Sequence, residues 1–173
     1  MSLSVQWAEA NAALEGARKL LVVTHVSPDG DAIGSLLGLA LALRERDYKV
    51  TTAVDGGVPD FLQFLAGSAK VESRLKRGHW DVMISVDASD EERSGICGAF
   101  GRARSKQVIN LDHHPTNTGF GHVHLVMPEA VSASEIVYEW LVRLGHPVSQ
   151  PVATALLTGL VTDTMGFRTS NVN

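Results

Sequence analysis

Apolar residues fall in short blocks along the chain, and four of the blocks run into polar, reactive residues. KLLVVTH (19–25), YKVTTAVD (48–55), WDVMISVDASD (80–90) and KQVINLDHH (106–114) carry strand character. HVHLV (122–126) reads as a further, late strand. Between them lie helical patterns. DAIGSLLGLALALRERD (31–47) is apolar nearly all round and free of proline, which predicts a buried helix starting near Asp31. MSLSVQWAEANAALEG (1–16) predicts an amphipathic N-terminal helix, and DFLQFLAG (60–67) a short one after Pro59, closed by Gly67. SASEIVYEWLVRLG (132–145) opens with the capping-box pair Ser132 and Glu135 and stops at Gly145. VATALLTGLVTDTMGF (152–167) predicts a last helix with Ala153, Leu156, Leu157, Leu160 and Val161 as its apolar positions. Strands alternating with helices predict an α/β fold: a mostly parallel sheet with helices on both faces, in three α/β/α layers.

Composition narrows the function classes. A chain of 173 residues with 45% hydrophobic content suits one domain with one core. The formal charge of −4 argues against gripping long duplex nucleic acid, which needs a surplus of Lys and Arg. No apolar run reaches a membrane span, and the start lacks a basic signal-peptide region, so a soluble, cytoplasmic chain is expected. The single cysteine, Cys97 in SGICG, reads as a packing residue in a reducing compartment.

The strand ends hold the chemistry. VVTH runs on to Asp29 and Asp31, MISVD ends at Asp87, and VINLDHH ends at Asp112, His113 and His114. In an open parallel sheet the carboxyl ends of the strands share one edge, where ligands bind, so these distant residues converge. Any single strand-end aspartate could merely cap a helix or turn. Several together with His25, His113 and His114 point to a site. Asp163 follows the apolar stripe of the last helix at helical spacing and is expected to face inward. Carboxylates mixed with imidazoles and no thiolates suit Mn²⁺ or Mg²⁺, with Zn²⁺ or Fe²⁺ compatible. Asp29, Asp31, Asp87 and Asp163 would balance two divalent ions, the arrangement used for in-line displacement at phosphorus. His25 and Asp29 can face one ion and Asp31 the other, with Gly30 permitting a tight backbone path between them.

THVSPDGDAIGS, SVDASDEER, NLDHHPTN and GLVTDTMGFRTSN, in this order and spacing, resemble the four motifs of the DHH phosphoesterases over about residues 20–172. The wording is most similar to the bifunctional oligoribonuclease/pAp phosphatases (nano-RNases), which hydrolyse very short RNAs and 3′-phosphoadenosine 5′-phosphate (pAp) with Mn²⁺. The resemblance implies that His25, Asp29 and Asp87 hold one metal ion, and Asp31, Asp87, His113 and Asp163 the other, with Asp87 bridging. It implies that Asp112 orients the adjacent imidazole, that His114 contacts the substrate phosphate, and that Arg93 stands near the site. Adjacent histidines at a strand end alternate in direction, so one is expected to ligate and the other to face the phosphate; the resemblance implies that His113 takes the first role and His114 the second.

The family normally carries a second, C-terminal domain that binds substrate. Residues 1–173 are therefore expected to be the metal-binding catalytic domain, with the C-terminal domain absent from this chain and turnover by the isolated domain weak. Short RNA or a nucleotide is the expected partner; a homodimer is compatible. Within the superfamily an inorganic pyrophosphatase, a cyclic-dinucleotide phosphodiesterase and a RecJ-like exonuclease are alternatives, and from another class a non-catalytic metal- or nucleotide-binding module. His122 and His124 read as ordinary strand histidines, His79 and His146 as surface residues, Asp55 as part of a turn, and Trp7, Trp80 and Trp140 as packing residues.

Overall fold

The apolar blocks form the five strands of one parallel sheet: β1 (Lys19–Val23), β2 (Lys49–Ala53), β3 (Trp80–Val86), β4 (Ser105–Asp112) and β5 (Val123–Val126), in the order β2-β1-β3-β4-β5. This computed structural model describes residues 3–169; Met1, Ser2 and the last residues of the fourth motif, Ser170 and Asn171, lie outside the described residues. The helices are α1 (Leu3–Leu14), α2 (Gly30–Glu45), α3 (Gly95–Arg102), α4 (Ala133–Arg143) and α5 (Gln150–Asp163). Among the described residues no helix is long and apolar enough to cross a membrane.

The order of the strands reverses between β1 and β3: the chain leaves β1 for β2 on one side, and β3, β4 and β5 follow on the other. Loops that depart in opposite directions at such a point leave a crevice at the carboxyl ends of the strands. The two faces of the sheet are unequal. One carries Leu20, Val22, Val82, Ile84, Ile109 and Leu111 and packs α1, α2, α4 and α5. The other carries Leu21, Val23, Met83 and Val108 and packs α3 with Leu75, Trp80 and Phe120. All three tryptophans are buried.

α3 has no counterpart in the apolar pattern, because three of its eight residues are glycine. Gly101 lets it lie against the sheet: a Cβ there would run into Leu21 and stand 3.0 Å from Met83 Sδ. Asp55, expected in a turn, caps this helix by accepting from the backbone N–H of Ile96 (2.6 Å) and Cys97 (2.9 Å). Conversely, DFLQFLAG is too short to close a helix and forms one 3₁₀ turn, Asp60–Leu62. His146 is not at the surface; it is buried, with Nε2 3.0 Å from Glu45 Oε2. Cys97 is 1% exposed, and burial, with Asp55 beside it, pushes its thiol up to about 12. Native protein is therefore expected to resist iodoacetamide at pH 8 and to take one equivalent when unfolded, as counted by mass spectrometry. Rapid labelling of the native form would mean that α3 is not seated.

α2 is almost entirely buried because it is sandwiched between the sheet and α5. The approach to α5 is backbone to backbone. A Cβ on Gly34 would lie 2.6 Å from Ala155 O and 2.8 Å from Gly159 N, and one on Gly30 would strike Thr162. Gly30 thus serves helix packing, as the first residue of α2, rather than an unusual backbone path. The buried stripe of α5 is Val152, Ala155, Leu156 and Gly159, whereas Ala153 and Leu157 are exposed. Ala155 and Gly159 stand where the contact with Gly34 is too close for a larger side chain, while Leu156 packs over Gly38.

Candidate metal centre

The loop leaving β1 builds the first part of the site. Asp29 Oδ1 caps α2, accepting from the N–H of Asp31 and Ala32 at 3.0 Å each. Its other oxygen is left for His25, whose Nε2 lies 4.0 Å away. His25 is 4% exposed and places Nδ1 2.8 Å from the Val26 carbonyl, which fixes the tautomer with a lone pair on Nε2. Burial opposes charge on this ring, but Asp87, the Val26 carbonyl and Asp29 outweigh it and raise its pKa.

Asp87 follows β3 directly, in the left-handed region (φ 55°). Its Oδ2 lies 3.6 Å from His25 Nε2, and its Oδ1 lies 3.6 Å from His113 Nε2 and 3.7 Å from His114 Nδ1. The two adjacent histidines therefore do not point apart; their rings lie 4.6 Å apart on the same carboxylate. β4 ends at Asp112, so both stand beyond the pleat that would have separated them. Asp112 is fully buried and holds His114, not His113, with Oδ1 2.8 Å from Nδ1. That hydrogen bond raises the pKa of His114 against the opposing burial. For Asp112, burial works against ionisation, but the bonds from His114 and Asn117 prevail and keep its carboxyl low.

Helix packing supplies the rest. Asp31, 1% exposed, accepts from the Ala133 N–H (2.6 Å), the Ser134 N–H (3.0 Å) and the Ser134 hydroxyl (2.5 Å), so it also satisfies the start of α4. Burial first, and then Asp87, raises its pKa well above the usual carboxylate range. Asp163, at the end of α5, places Oδ2 3.7 Å from His113 Nε2. Burial raises its pKa as well, with Asp87 and Asp29 adding and His113 opposing.

Three sets of ligand atoms lie within 4.8 Å of one another: His25, Asp29 and Asp87; Asp31, His113 and Asp163; and Asp87, His113 and His114. Asp87 and His113 each belong to two sets. Asp87 Oδ1 and His113 Nε2 are buried yet lack any hydrogen-bond partner. Unpaired buried polar atoms of this kind are costly unless a cation lies between them, so the donor set fits a hard divalent metal. Arg93 is exposed beside this edge, and its charge opposes protonation of His114.

Asn117, Asn110 and Ser134 join the site without having been singled out from the sequence. Asn117 Nδ2 donates to Asp112 Oδ2 at 2.6 Å, while its Oδ1 accepts from Asn110 Nδ2 (2.9 Å) and the Gly119 N–H (2.8 Å). The PTN that follows the DHH triplet was the available signal. Asn117→Ala would leave Asp112 and Asn110 short of partners inside the fold. A loss of about 1–3 kcal/mol is expected, read as a lower melting temperature without metal. His122 and His124 stand apart from the three sets, on β5 and just before it, with His122 Nδ1 accepting from the Val108 N–H.

Relatives share this arrangement of elements. A bifunctional oligoribonuclease and PAP phosphatase NrnA of Thermus thermophilus is 35% identical over 165 residues, covering 95% of this chain and 48% of its own. The crystal structure of an exopolyphosphatase-related protein from Bacteroides fragilis superposes with a TM-score of 0.91 at 33% identity, over 98% of this chain and 53% of that one. Exonuclease RecJ bound to manganese shares the fold at a TM-score of 0.54 and 18% identity, over 99% of this chain and 46% of its own. The chain spans about half the length of the curated relatives it matches. Residues 19–160, which carry every strand end described above, match the N-terminal domain of the DHH family, and to that family the chain belongs.

Proposed function

We propose that this chain is the metal-binding catalytic domain of a phosphoesterase that uses two Mn²⁺ ions to hydrolyse short oligoribonucleotides, pAp or both. The observation that carries the reading is that two three-residue ligand sets, one containing Asp87 and the other His113, are joined by a third that holds Asp87, His113 and His114 on the carboxyl edge of the sheet. His25, Asp29 and Asp87 would hold one ion, and Asp31, Asp87, His113 and Asp163 the other, with Asp87 between them. Two such ions supply an activated water and neutralise charge on the phosphoryl oxygens. The protein's own part is to position. Val26 and Asp29 hold His25 in register, and the start of α4 fixes Asp31. His114 has its Nδ1 tied to Asp112, so Nε2 is the ring atom left for a substrate phosphate. Its raised pKa favours the imidazolium, which strengthens that contact as negative charge builds. Arg93 would add a second cation at the rim. The single buried thiol suits a reducing, cytoplasmic setting.

The test is product analysis with Mn²⁺ on pApA, pAp, cyclic di-AMP and pyrophosphate. AMP from pApA or phosphate from pAp, lost on chelation, is the expected result. Hydrolysis confined to pyrophosphate or cyclic di-AMP would move the chain to another branch of the superfamily. Two-ion binding without turnover by a chain extended to the length of its relatives would leave a binding module.

A further inference from the structure

We infer that the edge of the sheet opposite the metal centre holds a second ligand site, shaped for a small molecule with two or more phosphate groups. An open cavity of about 580 Å³ lies there, lined by Lys19, Lys49, Arg77 and His79 with Thr51 and Trp80. Its volume is in the range of small-molecule sites. Lys19 and Lys49 are direct partners in the parallel register of β1 and β2, so two like charges sit side by side at the strand starts. That placement is unfavourable without an anion between them.

The segment that completes the cavity, 71–79, is fixed at three points. Glu72 pairs with the outer edge of β2, donating its N–H to Thr52 O at 2.9 Å and accepting from the Val54 N–H at 3.1 Å. Leu75 is 5% exposed in the core beneath. Gly78 (φ +135°) passes so close over Trp80 that a Cβ would stand 2.5 Å from the ring, while Trp80 Nε1 donates to Thr51 Oγ1 at 3.1 Å. From this fixed segment project Arg74, Lys76, Arg77 and His79, all exposed. A second open cavity, lined by Arg74, Lys76 and Arg77, shares Glu72 and Arg77 with the first. Lys106, on the neighbouring β4, shows the contrast: its Nζ lies 2.7 Å from Asp81. Among the described residues no carboxylate lies within ion-pairing distance of Lys19, Lys49, Arg74, Lys76 or Arg77, and Glu72 is the one acid lining the cavity. In a chain of net charge −4, this cluster of cations without a carboxylate partner, carried on an anchored backbone, suits an anion. Its limited size and one-sided lining favour a compact oligophosphate over a long strand.

The test is titration calorimetry with inorganic tripolyphosphate and with ATP, in excess chelator so that the metal centre takes no part. Both are expected to bind one per chain, with tighter binding of ATP if the nucleoside is also recognised. Lys19→Gln/Lys49→Gln and Arg77→Gln should each weaken binding at least tenfold, and Asp87→Asn should leave it unchanged. Without ligand, Lys19→Gln/Lys49→Gln should melt no lower than wild type, because a repulsion has been removed, so weakened binding cannot be ascribed to misfolding. The inference is overturned by no binding of either probe, by affinity that survives these substitutions, or by loss of binding in Asp87→Asn.

Discussion

Mn²⁺ is expected to raise the melting temperature of the wild type but not that of Asp87→Asn, while at pH 8, where the histidines are largely neutral, the metal-free variant should be at least as heat-stable as the metal-free wild type. Asp87 is the carboxylate common to two of the three ligand sets, and its two oxygens face His25 on one side and His113 on the other. A cation that binds only the folded state stabilises it by about 2.7 kcal/mol per site at one hundred times Kd. Two sites filled together would raise the melting temperature by roughly 10–20 °C in a domain of this size. Without metal, the same carboxylate is a liability, because it raises the pKa of both Asp31 and Asp163 through repulsion. Asparagine keeps the shape, removes the charge and tolerates the left-handed backbone of residue 87 better than alanine does. Thermal scans with chelator and with Mn²⁺, plus a metal titration counted by atomic absorption, check both halves. Full two-ion uptake by Asp87→Asn would sink the shared-ligand assignment.

The sheet and the convergence of its strand ends were legible because both rest on apolar periodicity and a topological rule. Four predicted strands start within a residue of the observed ones, and Ser132 caps α4 as its spacing with Glu135 implied, accepting from the Glu135 N–H at 3.1 Å. What escaped was fixed by tertiary contact. Gly95, Gly98 and Gly101 make α3 a poor helix by propensity, and it forms because Gly101 lets it press on Leu21 and Met83 while Asp55, in the turn after β2, caps it beside Gly95. The inward face of α5 was misjudged at Ala153 and Leu157 because close packing against Gly34 selects Gly159, a residue that apolar counting passes over. Asp31 could be read as a possible ligand, but its bonds to the first residues of α4 join positions 102 and 103 apart in sequence, which no local pattern reports. That His113 and His114 both face the Asp87 carboxylate likewise depends on where β4 stops.

Metal-free protein should be most stable in mild acid and lose stability as pH rises towards 8, with Mn²⁺ removing that loss. Four groups of the site push the same way. Asp31 and Asp163 have raised pKa values, chiefly from burial, so above the ordinary carboxyl range the folded chain retains protons that the unfolded chain has released. Stability then falls with pH until the folded carboxyls ionise. His25 and His114 are also raised, by Asp87 and by Asp112 respectively. Their contribution is complete below the unfolded imidazole value and is lost as pH climbs through the folded one. Asp112, Asp55 and Asp81 have lowered values and act with the opposite sign, but only in stronger acid, where they would be protonated. Each pKa unit corresponds to about 1.4 kcal/mol when fully expressed, and 1 kcal/mol moves the melting temperature of such a domain by roughly 2–4 °C. A fall of at least about 3 °C between pH 5.5 and 8 is therefore expected in chelator. If Mn²⁺ takes Asp31, Asp163 and His25 as proposed, it competes with protons for them, so its binding should release protons and its stabilising effect should grow over the same interval. Differential scanning calorimetry across this range, with and without Mn²⁺, provides the measurement. A metal-free melting temperature that rises with pH would show that these carboxylates ionise freely in the folded chain, and so that they are not pressed together at one centre.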